Sequence, residues 1–237
     1  MAKRKTPNNV NYREMYDKLY LKGYHKNDER GHYPTFFDWV YAPSKINKDV
    51  NTILDCGCSY GYGLNLINRH FEKEPQNLYG IDPSPTAIEG AKKKYSNFNF
   101  SVMSLPSLSF PDDHFDLVMS AEVIEHLLPK DQGPSWEEMF RVSKKYVAHM
   151  ISNTPEGDNK WGPQHFTCWS GKKWWNYLKG KLPKGWKIKY WLDEPTWNSI
   201  QEKRLKGEGF TRAKRNDKWK NWEEHMTCAV FEKEMES

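Results

Sequence analysis

The chain has 237 residues and a mass of 28.1 kDa, which suits one α/β domain with extensions better than two domains. Only 37% of the residues are apolar and mean hydropathy is −0.93, so the core must be compact and the surface very polar. Lys and Arg number 36 against 31 Asp and Glu, a net charge of +5 with a pI near 8.8. That is milder than the clustered basicity, with a pI above about 9, expected of a dedicated nucleic-acid binder.

Met1-Ala2-Lys3-Arg4-Lys5 is followed by polar residues with no apolar run behind it, which fits neither a signal peptide nor a membrane anchor and reads as a solvated tail. Tyr12, Tyr16, Leu19 and Tyr20 recur at helical spacing, predicting a helix over Tyr12 to Leu21 that Gly23 stops. Pro34 suits the first turn of a short helix reaching Val40. A strand through Ile53 and Leu54 then enters a glycine-rich turn, and a helix follows over Leu64 to Phe71. Strand Leu78 to Asp82 is followed by a helix over Pro85 to Tyr95, and Phe98 to Met103 makes a third strand. Phe115 to Ser120 makes a fourth, Trp136 to Ser143 a helix, and Tyr146 to Ile151 a fifth strand. Such alternation means βαβ units and a largely parallel sheet. Beyond Asn153 come a helix over Lys172 to Leu178 and strands over Trp186 to Leu192 and Met226 to Glu232. Between those strands, residues 193–225 form an insertion rich in Lys, Arg and Trp.

Four cysteines (Cys56, Cys58, Cys168, Cys228) form no Cys-x-x-Cys pair, so reduced thiols in a cytoplasm are the simplest expectation and a zinc site from them is not expected. Aromatics make up 15% of the chain, with 11 Trp, and either fill a core short of aliphatics or line a cleft.

Three segments carry the chemistry. In Ile53-Leu54-Asp55-Cys56-Gly57-Cys58-Ser59-Tyr60-Gly61, glycines between a strand and a helix let backbone approach a ligand and aim helix N–H groups at it. Ser59 stands where a dinucleotide fingerprint would need its second glycine, which argues against that class of ligand. Asp55 adds a carboxylate suited to a cationic group. By itself this is also what an ordinary structural turn looks like. Asp82, ending the next strand, can accept two hydrogen bonds from a ribose diol, one βαβ unit after Asp55. A strand-end Asp is often only a helix cap, but Ser84 can take that role here. The third segment runs Leu108-Ser-Phe-Pro-Asp-Asp-His-Phe-Asp-Leu-Val-Met-Ser-Ala-Glu-Val-Ile-Glu-His-Leu127.

Together, over roughly residues 50 to 155, these segments resemble the class I, Rossmann-like S-adenosylmethionine-dependent methyltransferases, nearest the small-molecule subgroup with a Glu-x-x-Glu-His segment. The resemblance implies an α/β three-layer sandwich with a mainly parallel seven-stranded sheet and an antiparallel last strand. Residues 1–48 would be a helical extension or lid, and 49–237 the methyltransferase domain carrying the insertion. It further implies that Asp55, Gly57, Cys58, Ser59 and Gly61 hold the methionine portion of S-adenosylmethionine and that Asp82 binds the ribose. Ile81 and Pro83 would flank the adenine. Ser104, beside Leu105, takes a place where the family often has an Asp contacting the adenine amino group. Ser120 and Ala121 would line the methyl-donor end.

On a helix, Glu122, Glu125 and His126 would share a face and offer a divalent cation, Mg²⁺ among them, two carboxylates and an imidazole. Metal-using relatives show similar spacing, whereas others carry Glu-His as a loop contact without metal. His126 and His165 are candidate general bases for a hydroxyl acceptor, His165 also a further ligand. The acceptor expected is a hydroxyl or amine of a small molecule. Residues 201–222, with Lys203, Arg204, Lys206, Arg212, Lys214, Arg215, Lys218 and Lys220 among Phe210, Trp219 and Trp222, offer RNA or an acidic partner as the alternative. A non-catalytic nucleotide-binding module on the same scaffold is a third reading. No membrane association is expected.

Overall fold

The computed structural model describes residues 7–26, 36, 40–41, 44–46, 50–71, 73–154, 164–192 and 226–234. The expected helix from Pro34 to Val40 lies mostly outside these residues, and the 193–225 insertion lies wholly outside them. Among them no helix is long and apolar enough to cross a membrane.

Seven strands, β1 (Ile53–Cys56), β2 (Leu78–Asp82), β3 (Asn99–Val102), β4 (Phe115–Ala121), β5 (Ser143–Ser152), β6 (Trp186–Leu192) and β7 (Met226–Lys233), form one sheet in the order β3-β2-β1-β4-β5-β7-β6. The first five pair in parallel, and β7 runs antiparallel to both β5 and β6. This is the mixed sheet of the Rossmann-like methyltransferase fold, with the antiparallel last strand that the sequence led us to expect.

Alternation along the strands makes the three layers. Ile53, Leu117 and Met119 face one core with Leu64, Ile67, Ile88 and Ala91, from helices α2 (Tyr62–Phe71) and α3 (Pro85–Lys94). Leu54, Val118 and Val147 face the other with Trp136, Phe140, Trp174 and Leu178, from helices α4 (Gln132–Val142) and α5 (Gly171–Lys179). A strand that is buried on both faces carries apolar residues at successive positions, as β4 does at Leu117, Val118 and Met119. Trp136 and Trp174 are fully buried, so the two largest side chains here are core and not cleft.

Helix α1 (Tyr12–Leu21) has the predicted limits, with Asn11 accepting from Glu14 N at its start. Gly23, at φ +93°, takes the left-handed conformation just past its end.

At the opposite edge of the sheet, the buried Asp116 carboxylate accepts from Asn51 N (2.7 Å) and Thr52 N (3.0 Å), tying the lead-in to β1 onto β4. Burial presses its pKa up, but these N–H donors with Lys145 and Lys144 outweigh it and hold it below the ordinary value. Its charge therefore adds stability that is present above the unfolded-state pKa and lost as pH falls through the lower folded value. We expect Asp116→Ala to cost about 2 kcal/mol, since it removes the charged acceptor shared by the Asn51 and Thr52 N–H groups. Urea unfolding at pH 7 measures this, and the cost should shrink at pH 2 to 3.

Candidate functional site

Parallel strands deliver their carboxyl ends to one edge, and the chemistry-bearing residues lie along it. Asp55, in β1, is fully buried. The turn after β1 needs Gly57 (φ +77°) and Gly61 (φ +78°). A Cβ on Gly61 would lie 2.6 Å from the Phe100 ring, so the turn is pressed against β3 by sterics as well as by dihedral angle. Ser59 also has positive φ (+52°), a conformation costing a non-glycine residue on the order of 1 kcal/mol. What holds it there is Asp82: Ser59 N donates to Asp82 Oδ2 at 3.1 Å.

Asp82 is buried, and its other oxygen accepts from Ser84 N at 2.9 Å. Ser84 caps α3, its Oγ accepting from Ala87 N, so Asp82 is spared that role as expected. Desolvation dominates the Asp82 carboxyl and raises its pKa to about 6. The Ser84 and Ser59 N–H groups, then His25 and Tyr20, act against the rise. A carboxylate that is costly to bury, and whose pKa stays raised despite two backbone donors and the Tyr20 phenol, is poised for further donors.

Above this edge lies α1. Tyr20 is buried, packs edge-on against Tyr60 (5.3 Å between centroids) and Tyr24, and its phenol reaches Ser59 and Asp82. Tyr16 meets the His126 ring edge-on at 5.9 Å. Tyr12 donates to Asp131 Oδ2 at 2.6 Å and accepts from Leu128 N at 2.8 Å. Positions 12, 16 and 20 thus put one helix face across the ends of β1, β2 and β4. The sequence suggested a helix here; only the fold shows what that face covers.

The fourth strand's outlet departs from expectation. Glu122 has φ +55° and is not helical, and only Ile124–His126 makes a single 3₁₀ turn. Glu122 N stays bonded to Met150 O of β5, so the strand ladder extends through it before the chain turns. The predicted helical face of Glu122, Glu125 and His126 does not form. The side chains brought together are Glu125, His126 and His165, with potential ligand atoms all within 4.8 Å of one another, and Glu122 is outside that group. His126 Nδ1 lies 3.2 Å from Gln164 O and His165 Nδ1 2.7 Å from Thr154 O. Carbonyl oxygens only accept, so each Nδ1 carries the proton and Nε2 is the basic nitrogen. The rings stand edge-to-face at 4.6 Å.

Ser120 is fully buried and its Oγ lies 2.6 Å from His149 Nδ1, so toward a ligand it offers backbone and not hydroxyl. His149 is enclosed with Trp136, and burial lowers its pKa to about 3, keeping it neutral. Leu105 is buried and Ser104 bridges to Ser107 in the turn after β3. Burial, with Asp55 next, raises both Cys56 and Cys58 far above the usual thiol range, so they pack as neutral groups.

Residues 53–146 match a family described as a methyltransferase domain. A protein of Mycolicibacterium smegmatis named as a probable S-adenosylmethionine-dependent methyltransferase is 28% identical over 119 residues, covering 48% of this chain and 44% of that protein. The 2-methyl-6-phytyl-1,4-hydroquinone methyltransferase of Synechocystis is 28% identical over 118 residues, covering 48% and 36%. The chain thus spans less than half the length of these curated relatives. Among solved structures, magnesium protoporphyrin IX methyltransferase from Synechocystis, with bound S-adenosylmethionine, superposes with a TM-score of 0.59 at 13% identity, over 96% of this chain and 100% of that one. The PH0226 protein of Pyrococcus horikoshii gives 0.62 at 16% identity, over 92% and 99%. The domain match covers residues 53–146 and the named relatives are methyltransferases, while the solved structures, all under 25% identical, bear on the fold alone.

Because the folded Asp82 pKa is raised, its charge opposes folding as pH rises from about 4 through 6. Asp82→Asn turns an amide NH₂ toward one of the two backbone donors at every pH, but relative to the parent it should gain stability by on the order of 1–3 kcal/mol between pH 4 and pH 7.5. Thermal melts should show that gain disappearing near pH 4.

Proposed function

We propose that the chain transfers a methyl group from S-adenosylmethionine to a hydroxyl or amine of a small molecule. The observation that carries this is the buried Asp82 carboxylate, one strand from the Gly57–Gly61 turn and bonded to it through Ser59. Two carboxylates one βαβ unit apart, at the carboxyl edge of a parallel sheet, suit a ligand with a ribose at one end and a cationic group at the other. Asp55, Gly57, Cys58, Ser59 and Gly61 would hold the amino-acid end and Asp82 the ribose hydroxyls. Ile81, Pro83, Ser104 and Leu105 would border the adenine, and Ala121 with the Ser120 backbone the methyl end. The bound cofactor supplies a sulfonium methyl with a good leaving group; the protein positions the acceptor and excludes water.

Residues 1–48 are proposed as the lid, on the strength of α1 lying over this edge. His126 and His165 are proposed as the proton acceptors for a hydroxyl substrate through Nε2. The hydroquinone and porphyrin methyltransferases among the similar proteins support a small-molecule acceptor. RNA or an acidic protein, through residues 201–222, is the alternative, and a non-catalytic nucleotide-binding module on the same scaffold is the next. A cytoplasmic location is proposed on the reduced thiols.

Isothermal titration should give one site for S-adenosylhomocysteine and none for NAD, and Asp82→Ala should abolish the heat. Binding of NAD alone would overturn the assignment. Radiolabelled S-adenosylmethionine screened against phenols and sugars first and RNA second finds the acceptor; binding without transfer to any would favour the non-catalytic module.

The cluster of Glu125, His126 and His165 supports a second reading, a divalent metal at the acceptor end. Two imidazoles and a carboxylate suit Mn²⁺, Fe²⁺ or Zn²⁺ better than Mg²⁺, and Nδ1–H bonds to carbonyls orient ligating histidines. EDTA should then remove activity and Mn²⁺ restore it. Activity indifferent to EDTA, with His165→Ala lowering kcat 10²- to 10⁴-fold, would leave the histidines as bases.

A further inference from the structure

Helix α1 is fastened to the rest of the molecule by a contact that the methyl-transfer reading leaves unused. Asp17 Oδ1 accepts from Ser84 Oγ at 2.9 Å and from Thr86 N at 2.9 Å. Ser84 is fully buried and makes three bonds at once: its N–H goes to Asp82, its Oγ accepts from Ala87 N, and its hydroxyl proton goes to Asp17. A hydroxyl has one proton, so Asp17 fixes the side chain of the residue whose backbone N–H holds the Asp82 carboxylate.

Helix α3 is capped without Asp17 at all but one of its first-turn donors, Thr86 N, which solvent can satisfy. Ser84 caps it through Ala87 N, and Pro85 at its first position has no N–H to satisfy. Asp17 therefore serves the seating of α1. Its negative charge at the positive end of α3 makes the contact a charge-assisted one. Water can replace both donors when α1 lifts, so the bond is firm enough to hold and cheap enough to release. A second fastening lies five residues earlier, about 7.5 Å along the helix, where Tyr12 bridges Asp131 and Leu128 on the far side of the cofactor edge. With both made, Tyr20 is set down over Ser59 and Asp82.

We propose that Asp17 is a positioning residue that latches α1 onto Ser84 and Thr86, so that closure of the N-terminal helix and the setting of the Asp82 carboxylate are one event and exchange of the S-adenosyl ligand is gated by this contact. The proposal rests on the methyltransferase reading. It goes beyond it by making a residue of α1, bonded to Ser84 and Thr86, control the ligand's residence time.

The test is dissociation of tritiated S-adenosylmethionine from the full chain into excess unlabelled S-adenosylhomocysteine, with hydrogen exchange of amides 12–21 measured in parallel. Asp17→Ala should dissociate on the order of tenfold faster. Its α1 amides should exchange faster in the ligand-bound state, while the core amides of β1 and β4 stay as protected as in the parent. Asp17→Asn keeps one acceptor oxygen and should fall between the two, which also covers the case of an Ala variant that folds badly. Dissociation and α1 exchange unchanged in both variants would overturn the latch while leaving the cofactor assignment standing. A parent protein that binds neither ligand would overturn the methyltransferase reading, and the latch with it.

Discussion

A buried carboxylate must be given hydrogen-bond donors, and the organisation of this edge follows from how Asp82 obtains them. One comes from Ser59, which fixes the glycine turn in a conformation that its own residue type resists. Another comes from Ser84, which fixes the start of α3. The same residue thus joins the loop after β1, the end of β2 and the following helix into one rigid corner. The cost of burying it is met only in part within the protein, as its raised pKa shows. Under the proposed function, that shortfall is what a ligand bearing a diol would supply.

A second buried carboxylate ties the neighbouring corner together. Glu125 is fully buried; its Oε1 accepts from Ser152 N at the end of β5, and its carbonyl accepts from Phe166 N and Thr167 N. Gln132 reaches back to Ile124 O and Thr167 Oγ1 to Leu127 O. The 3₁₀ turn is therefore a knot between β4, β5 and residues 164–167. His126 and His165 meet because their segments are tied there, 39 positions apart in the chain (165 − 126).

Much of this was legible from residue types. Apolar runs bounded by turn residues place all seven strands within a few positions, because strands buried on one or both faces have little freedom in composition. Asp82 was legible as well, since Ser84 two residues on offered a better cap. The turn at Glu122 was not. Helical spacing of Glu122, Glu125 and His126 is real in the sequence, but Glu122 N is claimed by β5, and a tertiary hydrogen bond overrode local periodicity. The place of Ser120 along β4 is legible from its strand position; that its hydroxyl faces His149 depends on which strand lies alongside, which no local pattern encodes. Asp17 gave no signal whatever, because its partners lie 67 and 69 residues away.

The place of β7 in the sheet has its own consequence. It lies between β5 and β6, with an antiparallel ladder on each side. During synthesis β6 emerges with no partner on the sheet, and residues 193–225 must follow before Met226 begins the strand that joins it. Until then β5 presents an open edge and β6 has nothing to pair with, the situation that invites pairing with another chain. Closure of the sheet is a late, non-local event, and such pairings are slow. A chain interrupted before Met226 would leave one sheet in two separate parts, whatever the quality of its ligand-binding edge.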